Sequence, residues 1–230
     1  MPQRVVFFDI DGTLLASGGA GQKAMESALI EEFRIQFPFE GVLTAGRTDY
    51  GIVTDIFDRY QIAHSDKQYE RFRCAYLERL PDNLQTSSGQ VLPGVAELLA
   101  TLSSNEDLVL ALITGNYSEG AWIKLRHFRL DRYFKFGGFG DCHANRNLVA
   151  ESARVTAESE LGSPVPGHHC CVVGDTPADI ECARSIGAMA IAVATGTFNI
   201  DELAANSPDH VFVDFRNVNL TIDRITAILH

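Results

Sequence analysis

The sequence has no CxxC cysteine pair and no long apolar run, and we expect no signal peptide from its first residues. Its five cysteines are irregularly spaced and none forms a CxxC pair, so neither a zinc site nor a disulfide framework is favoured over reduced thiols. No segment approaches the roughly 18 unbroken apolar residues of a membrane span. The stretch before Asp9 is too short, and too acidic at its end, for a signal peptide. We therefore expect a cytoplasmic protein with no membrane partner.

Positive charge is also scarce. There are 19 basic residues against 30 acidic ones, which gives a formal net charge of -11. A nucleic-acid binder normally carries a basic face, so we expect no nucleic-acid partner. The apolar fraction of 46% and the length of 230 residues suit one globular domain, or one domain with an insert. An anionic substrate would need a local cation at its binding site on so acidic a protein.

Short apolar runs alternate with helical stretches along most of the chain. This pattern predicts an α/β fold, a doubly wound parallel sheet covered by helices on both faces. The predicted strands are Arg4–Phe8, Leu108–Ile113, Cys170–Gly174, Ala188–Val193 and His210–Val213, with a weaker one at Tyr133–Phe136. The predicted helices between them are Gly94–Leu102, Ser118–Phe128, Leu148–Leu161, Pro177–Ile186 and Val218–Leu229.

The alternation fails between about Leu15 and Leu84, where apolar residues recur at helical spacing. We predict helices there over Gly21–Phe33, Asp49–Tyr60 and Asp66–Leu80. Segments rich in Gly and Ser border this block at residues 18–21 and 86–89, a composition typical of flexible linkers. We therefore predict a core domain of residues 1–15 and 90–230, with residues 16–89 forming a helical domain inserted after the first strand.

Acidic and hydroxyl residues follow three of the predicted strands. Asp9 and Asp11 follow the first, Thr114 follows the second, and Asp175 and Asp179 follow Cys170–Gly174. Ligands bind at the carboxyl ends of strands in such sheets, so these residues converge if the three strands are neighbours. Crowded carboxylates repel one another, and a hard divalent cation relieves the repulsion. The cluster therefore predicts Mg²⁺ and a phosphate-bearing ligand, although Asp179 alone could serve only as a helix-terminal residue.

Three motifs in this order resemble those of the haloacid dehalogenase superfamily, in its phosphatase branch with a helical cap of the C1 type. The family's DxDGT motif stands here at Asp9 to Thr13, its strand ending in Thr at Leu112 to Asn116, and its GDxxxD motif at Gly174 to Asp179. The resemblance covers essentially the whole chain. It implies a Rossmann-like core with a cap formed by the helical insert. It also implies Mg²⁺-dependent hydrolysis of a small phosphorylated metabolite. We expect a monomer or homodimer.

The resemblance also implies roles for individual residues. Asp9 would be the nucleophile that forms an aspartyl-phosphate, and Asp11 would protonate the leaving group and then activate water. Thr114 would hold the phosphoryl oxygens. Further substrate contacts would come from Thr13, Gly115 and Asn116.

The same resemblance implies a metal site that holds Mg²⁺. Its ligands would be Asp9, Asp175 and the backbone carbonyl of Asp11, with Asp179 acting directly or through water.

Two arginines stand at positions where the family pattern leaves a choice. The family usually places a Lys before the helix that leads to the GD strand, but no Lys follows Lys135. Arg146 is the best replacement, and Arg154, which we expect on a solvated helix face, is the second. Arg47, in a segment that resembles the cap's substrate-specificity loop, could contact a substrate carboxylate or phosphate. Alternatively, it belongs to a turn that caps the helix starting near Asp49.

Three other functions remain open. A 2-haloacid dehalogenase has the same fold but needs neither a second aspartate nor a metal, so Asp11 argues against it. A phosphomutase keeps both aspartates, and only product analysis would distinguish it from a phosphatase. A phospho-accepting module that resembles a response-regulator receiver also gathers acidic residues around Mg²⁺. Such modules are smaller and lack a cap, so the helical insert and Asp11 both favour an enzyme that turns over.

Overall fold

The computed structural model describes residues 4–228 of the chain. Within that range, the main sheet has six parallel strands, and a short antiparallel ribbon of two strands lies beside it. In chain order the strands are β1 (Arg4–Phe8), β2 (Leu15–Ala16), β3 (Gln90–Val91), β4 (Leu108–Ile113), β5 (Gly137–Gly138), β6 (Cys170–Gly174), β7 (Met189–Val193) and β8 (His210–Phe212). The spatial order of the main sheet is β5-β4-β1-β6-β7-β8, and β2 pairs with β3. The predicted doubly wound α/β fold is confirmed.

Helices cover both faces of the main sheet. Successive side chains of a strand point to opposite faces, and in β1 the pair Val6 and Phe8 packs in one apolar cluster while Val5 and Phe7 pack in the other. The first cluster is completed by α4 (Val95–Ser103), α5 (Ser118–His127) and α9 (Val218–Ile228). The second is completed by α6 (Arg146–Leu161), α7 (Pro177–Ser185) and α8 (Ile200–Ala204). Both faces of the sheet are therefore buried, as the unbroken apolar strands predicted.

Most predicted boundaries of the core lie within two residues of the observed ones. The exceptions are the short helix α8, which was not predicted, and the strand predicted at Tyr133–Phe136, which is wrong. The segment Asp131–Tyr133 forms a 3₁₀ turn, and the edge strand is β5 at Gly137–Gly138. A Cβ at either glycine would overlap Leu112 or Ala153, so this strand pairs at residues without side chains and carries no apolar pattern. Leu229, predicted at the end of the last helix, lies outside the described residues.

Three helices lie between β2 and β3, and together they form the helical insert. They are α1 (Ala20–Phe33), α2 (Asp49–Arg59) and α3 (Asp66–Thr86), and they share an apolar cluster to which Tyr117 of the core also belongs. Helix α3 continues six residues beyond the predicted end at Leu80. It does so through Pro81, which normally ends a helix because it lacks an N–H. Thr86, predicted as linker, is consequently the last residue of that helix.

The chain enters and leaves the helical insert through two adjacent connections. Leu15 and Ala16 of β2 pair with Val91 and Gln90 of β3, so the two connections are paired with each other. This ribbon was not predicted, because two-residue strands carry no measurable periodicity. Among the described residues, no helix combines the length and the apolar character that crossing a membrane requires.

Candidate active site

The three strands that carry the sequence motifs are neighbours in the sheet. Strand β1 lies between β4 and β6, and Phe8 is in register with both Leu112 and Val173. The carboxyl ends of these strands therefore lie at one level, and the residues that follow them meet at one edge of the sheet. A cavity of about 520 Å³ opens at this edge, and Asp9, Thr114 and Asp175 are among the residues that line it. The predicted convergence of these residues required that the three strands be neighbours, and they are.

Three buried aspartates form an acidic centre at this cavity, and two of them, Asp9 and Asp175, line it. One carboxylate oxygen from each of Asp9, Asp175 and Asp179 lies within 4.8 Å of the other two. Burial, opposed by the charge of Arg146, raises the pKa of Asp9 to about 7. Burial and repulsion from Asp9 and Asp179 raise the pKa of Asp175 to about 8. Crowded carboxylates with raised pKa values are the oxygen donors that a hard divalent cation such as Mg²⁺ would hold in the ionised form. The residues present therefore fit a metal site.

Arg146 reaches this acidic centre from the start of α6. Asn145 caps the helix by accepting a hydrogen bond from the Asn147 N–H, which places Arg146 at its first turn. The Arg146 Nη2 atom lies 3.1 Å from Asp9 Oδ1 and 2.5 Å from Asp179 Oδ1. Arg154, two turns further along, forms ion pairs with Glu151 and Glu158 on the outer face of the helix. Arg146 is thus the arginine that contacts the predicted nucleophile.

Asp179 has two kinds of contact. Its Oδ2 atom accepts hydrogen bonds from the Thr176 N–H and hydroxyl, at 3.0 and 2.7 Å, and so caps α7. Its Oδ1 atom accepts from Arg146. The helix-terminal role considered for Asp179 is therefore present, and the residue also belongs to the acidic group.

Asp11 lies apart from the three grouped aspartates. Its Oδ2 atom is 2.6 Å from Lys124 Nζ and 2.9 Å from Asn116 Nδ2, and Lys124 also donates to Asn116 Oδ1 at 2.6 Å. Burial alone would raise the pKa of Asp11, but the charge and hydrogen bond of Lys124, with hydrogen bonds from Asn116 and Ser17, hold this pKa below its usual range. The Asp11 carboxylate is therefore engaged by Lys124 and Asn116 and does not belong to the group of three aspartates.

Lys124 was not among the site residues predicted from the sequence. It lies on α5 at a buried position, with 4% of its surface exposed, in line with Gly120, Ala121 and Leu125. A lysine within the apolar stripe of a helix is the signal that would have found it, because a buried ammonium requires a partner.

Gly12 makes a turn directly after Asp11, beside the acidic centre. Gly12 has a φ of 85°, a conformation that side chains disfavour. A Cβ at Gly12 would also overlap the carboxylate of Asp175. This turn therefore requires glycine for both conformation and space.

The predicted substrate-binding residues occupy different positions. Thr114 Oγ1 accepts hydrogen bonds from the backbone N–H and side-chain amide of Asn116, at 3.3 and 2.7 Å, which leaves its own hydrogen free to donate. Thr114, Gly115 and Asn116 all line the cavity. Thr13 does not line it: its hydroxyl is buried and donates to Asp175 Oδ1 at 3.0 Å. Thr13 therefore orients an acidic residue rather than facing the open space.

Arg47 lines the cavity from the side of the helical insert. Its guanidinium forms an ion pair with Asp55 and donates to the Gly51 carbonyl at 3.3 Å. Thr48, the next residue, caps α2 by accepting a hydrogen bond from the Gly51 N–H at 3.0 Å. Both readings of this segment thus have a structural counterpart: a helix cap at Thr48 and a cavity-lining arginine beside it.

Asp49 holds the helical insert against the core. Its N–H donates to the Gly115 carbonyl at 2.7 Å, and its carboxylate accepts from the Tyr117 N–H at 2.9 Å. Burial raises the pKa of Asp49 to about 7, against the lowering charge of Lys124. A Cβ at Gly115 would overlap the Arg47 carbonyl, so glycine is required where the two parts of the chain touch. Asp49 was not among the predicted site residues.

Proteins similar in sequence carry phosphatase names. The chain is 28% identical over 218 residues to a 5'-nucleotidase of Pseudomonas aeruginosa, with 91% of this chain and 90% of that protein covered. It is 27% identical to a phosphoglycolate phosphatase of Mannheimia succiniciproducens, with 94% and 96% covered.

Solved structures share the fold. A hydrolase from Pseudomonas syringae superposes with a TM-score of 0.72 at 24% identity, covering 97% of this chain and 99% of that one. CbbY from Rhodobacter sphaeroides, solved in complex with phosphate, superposes with a TM-score of 0.71 at 19% identity, covering 94% and 96%.

A family model spans most of the chain, including all three motifs. It matches residues 3–187, and its description is haloacid dehalogenase-like hydrolase. The matched range contains β1 with Asp9 and Asp11, β4 with Thr114, and β6 with Asp175, which are the elements that build the cavity. The protein is therefore a member of the haloacid dehalogenase-like hydrolases.

Proposed function

We propose that the protein is a Mg²⁺-dependent phosphatase that hydrolyses a small phosphate monoester through an aspartyl-phosphate on Asp9. The observation that carries the proposal is the position of the Asp9 carboxylate. It lies 3.1 Å from the Arg146 guanidinium, within a group of three buried aspartates. A carboxylate nucleophile beside a cation and a metal site suits phosphoryl transfer, which depends mainly on positioning and charge neutralisation.

The metal would be held by Asp9, Asp175 and the Asp11 carbonyl. Asp179 would act through water, since both of its carboxylate oxygens already accept hydrogen bonds from Thr176 or Arg146. When bound, Mg²⁺ would neutralise the developing charge on the phosphoryl oxygens. It would also keep Asp9 ionised at neutral pH, since burial raises the pKa of this group to about 7 despite the nearby charge of Arg146.

In the first step, an oxygen of Asp9 attacks phosphorus and the ester oxygen leaves. Arg146 orients the attacking carboxylate, and the free hydroxyl hydrogen of Thr114 donates to a phosphoryl oxygen. Asp11 gives a proton to the leaving alkoxide. In the second step, water attacks the phosphorus of the aspartyl-phosphate, Asp11 takes a proton from that water, and Asp9 and inorganic phosphate are released.

Lys124 sets the proton affinity of Asp11 in this proposal. In the free protein its charge favours the ionised form of Asp11, which is the form that the second step requires. A dianionic phosphate bound near Asp11 would oppose that charge and raise the pKa of Asp11 again. The residue would thereby gain a proton for the first step.

The helical insert would serve as the cap that selects the substrate. It contributes Arg47, Asp49, Ile52 and Tyr76 to the cavity lining, and closure over the site would exclude water during the reaction. The domain boundaries proposed are residues 1–15 and 90–230 for the core and 16–89 for the cap. The relatives named 5'-nucleotidase and phosphoglycolate phosphatase support phosphate esters as the substrate class. A cytoplasmic location and a monomeric or homodimeric state stay predictions.

The proposal is tested by phosphate release from a panel of small phosphorylated metabolites, with and without Mg²⁺, for the native protein and for Asp9→Asn. We expect Mg²⁺-dependent release that Asp9→Asn abolishes. Asp223→Asn, at an exposed site on α9, is the matched control and should retain full activity. Activity that survives in Asp9→Asn would refute the nucleophile.

Product analysis in the same experiment separates the alternatives. Phosphate moved within a sugar, with none released, would indicate a phosphomutase. A stable acyl-phosphate without turnover would indicate a receiver-like module.

A further inference from the structure

One side chain that lines the cavity carries a buried hydroxyl with no hydrogen-bond partner among the described residues. Tyr76, on α3 of the helical insert, is fully buried and lines the cavity. Its hydroxyl has no hydrogen-bond partner among the described residues. Buried polar groups are nearly always paired, since leaving one unpaired costs stability. The unpaired phenol is therefore a group whose partner is expected from a molecule in the cavity.

The surroundings of Tyr76 hold its hydroxyl in place. Its ring stacks parallel to Phe72 at a centroid distance of 6.1 Å and packs against Tyr117 at 6.2 Å. Burial, with repulsion from the nearby carboxylates of Asp49 and Asp11, raises the pKa of Tyr76 well above its usual value. The phenol is therefore protonated at neutral pH and can donate a hydrogen bond.

Every cation that lines the cavity is already balanced by a carboxylate within residues 4–228. Arg146 is paired with Asp9 and Asp179, and Lys124 is paired with Asp11. Arg47, the basic residue of the helical insert in this lining, is paired with Asp55. A phosphate would interact with the first two cations and the proposed metal. A second anionic group on the substrate would find no unpaired positive charge on the side of the helical insert.

The remainder of the lining on that side is neutral or acidic. It includes the apolar side chains of Met25, Phe39 and Ile52, the polar side chains of Gln22 and Thr44, and the Asp49 carboxylate. A carboxylate on the leaving group would lose its hydration against the apolar wall and would meet the acidic Asp49 there instead of an unpaired cation. A hydroxyl group costs less to desolvate than a charged group and can pair with Tyr76.

We propose that Tyr76 is a specificity-determining residue whose hydroxyl hydrogen-bonds a hydroxyl of the leaving group, and that the substrate is a phosphate ester of an uncharged, hydroxyl-bearing alcohol. This inference rests on the proposed phosphatase function and adds the class of its substrate. The leaving group would be selected by a hydrogen bond to the Tyr76 hydroxyl and by the neutralisation of Arg47 in its ion pair with Asp55.

Three esters with the same three-carbon skeleton test the inference. Glycerol 1-phosphate carries two free hydroxyls, propyl phosphate carries none, and 3-phosphoglycerate has a carboxylate in place of the terminal hydroxymethyl group. We expect the native protein to prefer glycerol 1-phosphate over each of the others by about tenfold in kcat/KM, the magnitude of one hydrogen bond. Tyr76→Phe should remove the preference over propyl phosphate.

Tyr117→Phe is the matched control. Its hydroxyl is also buried and unpartnered within the described part of the chain, and its ring contacts that of Tyr76, but it lines a separate cleft. It should therefore keep the native preference. The inference is overturned if Tyr76→Phe lowers kcat/KM for all three esters equally, if both Phe variants have the same effect, or if the native protein prefers 3-phosphoglycerate.

Binding measured by calorimetry with Asp9→Asn protein, alone and combined with Tyr76→Phe, separates this inference from the proposed function. Selective binding of glycerol 1-phosphate that depends on Tyr76, without phosphate release by the native protein, would overturn the phosphatase and support the recognition. Phosphate release without Tyr76-dependent selectivity would support the phosphatase function and overturn the recognition by Tyr76.

Discussion

Lys124 Nζ lies 2.6 Å from Asp11 Oδ2, and this ion pair joins helix α5 to the turn that follows the first strand. The two residues are 113 positions apart in the chain. Lys124 is 4% exposed, so its charge acts on Asp11 with little screening by solvent. The contact makes Asp11 more acidic than its burial alone would allow.

Removal of Lys124 should change the pH dependence of the reaction. In Lys124→Met the opposing charge and hydrogen bond are lost, so burial dominates and the pKa of Asp11 rises. The limb of the kcat/KM–pH profile that reports Asp11 should move to higher pH, measured with a phosphate ester under saturating Mg²⁺. Lys23→Met, at an exposed position of α1, should leave the profile in place. An unmoved profile in Lys124→Met would show that this lysine does not tune Asp11.

Arg146 and Arg154 should differ strongly when each is changed to Ala. Arg146→Ala removes the guanidinium that contacts Asp9 and Asp179, and we expect kcat/KM to fall by about 100-fold or more, as for loss of one group that stabilises a transition state. Arg154→Ala breaks only ion pairs on the helix surface and should change kcat/KM by less than about twofold. Steady-state kinetics of both variants provide the measurement, and the reverse order would reassign the third motif.

Mg²⁺ should stabilise the native protein against heat. The cation relieves repulsion within the group of Asp9, Asp175 and Asp179, and binding to the folded state at 100 times Kd adds about 2.7 kcal/mol. Asp175→Asn removes one charged ligand and should reduce the Mg²⁺-dependent rise in Tm, measured by differential scanning calorimetry. Asp223→Asn, outside the acidic group, should show the native rise. Equal shifts in all three proteins would place the cation elsewhere.

The ionisation of Asp49 should make the fold less stable as pH rises. Burial raises the pKa of this carboxyl to about 7 in the folded state, against about 3.9 when unfolded. Its stabilising contribution is complete below the unfolded value and is lost as pH increases towards 7, by at most about 1.4 kcal/mol per pH unit.

Asp49→Asn keeps an oxygen for the Tyr117 N–H but has no proton to lose. Urea unfolding at pH 5, 6, 7 and 8 should therefore show a flatter dependence of the unfolding free energy on pH for this variant. The difference from the native protein isolates Asp49, because Asp9 and Asp175 titrate in both. Parallel curves for the two proteins would mean that Asp49 is ionised throughout this range.

Much of the fold follows from local patterns in the sequence. Unbroken apolar runs identified β1, β4, β6 and β7 within one residue, because a strand buried on both faces must be apolar throughout. The same reasoning failed at β5. Its two residues are glycines that pair with Leu112 and Ile113 of β4, so no apolar side chain marks the strand. The reasoning also ended α3 too early, since the packing of the helical insert tolerates Pro81 inside a helix.

The sequence alone determined which residues follow each strand and hence that Asp9, Thr114 and Asp175 would meet if their strands were neighbours. Only the tertiary structure decided that β1 lies between β4 and β6, that Arg146 rather than Arg154 contacts Asp9, and that Lys124 balances Asp11. Periodicity reports the face on which a side chain lies, over a few residues. A contact between residues 113 or 137 positions apart depends instead on strand order and on how two helices pack, and no local pattern contains that information.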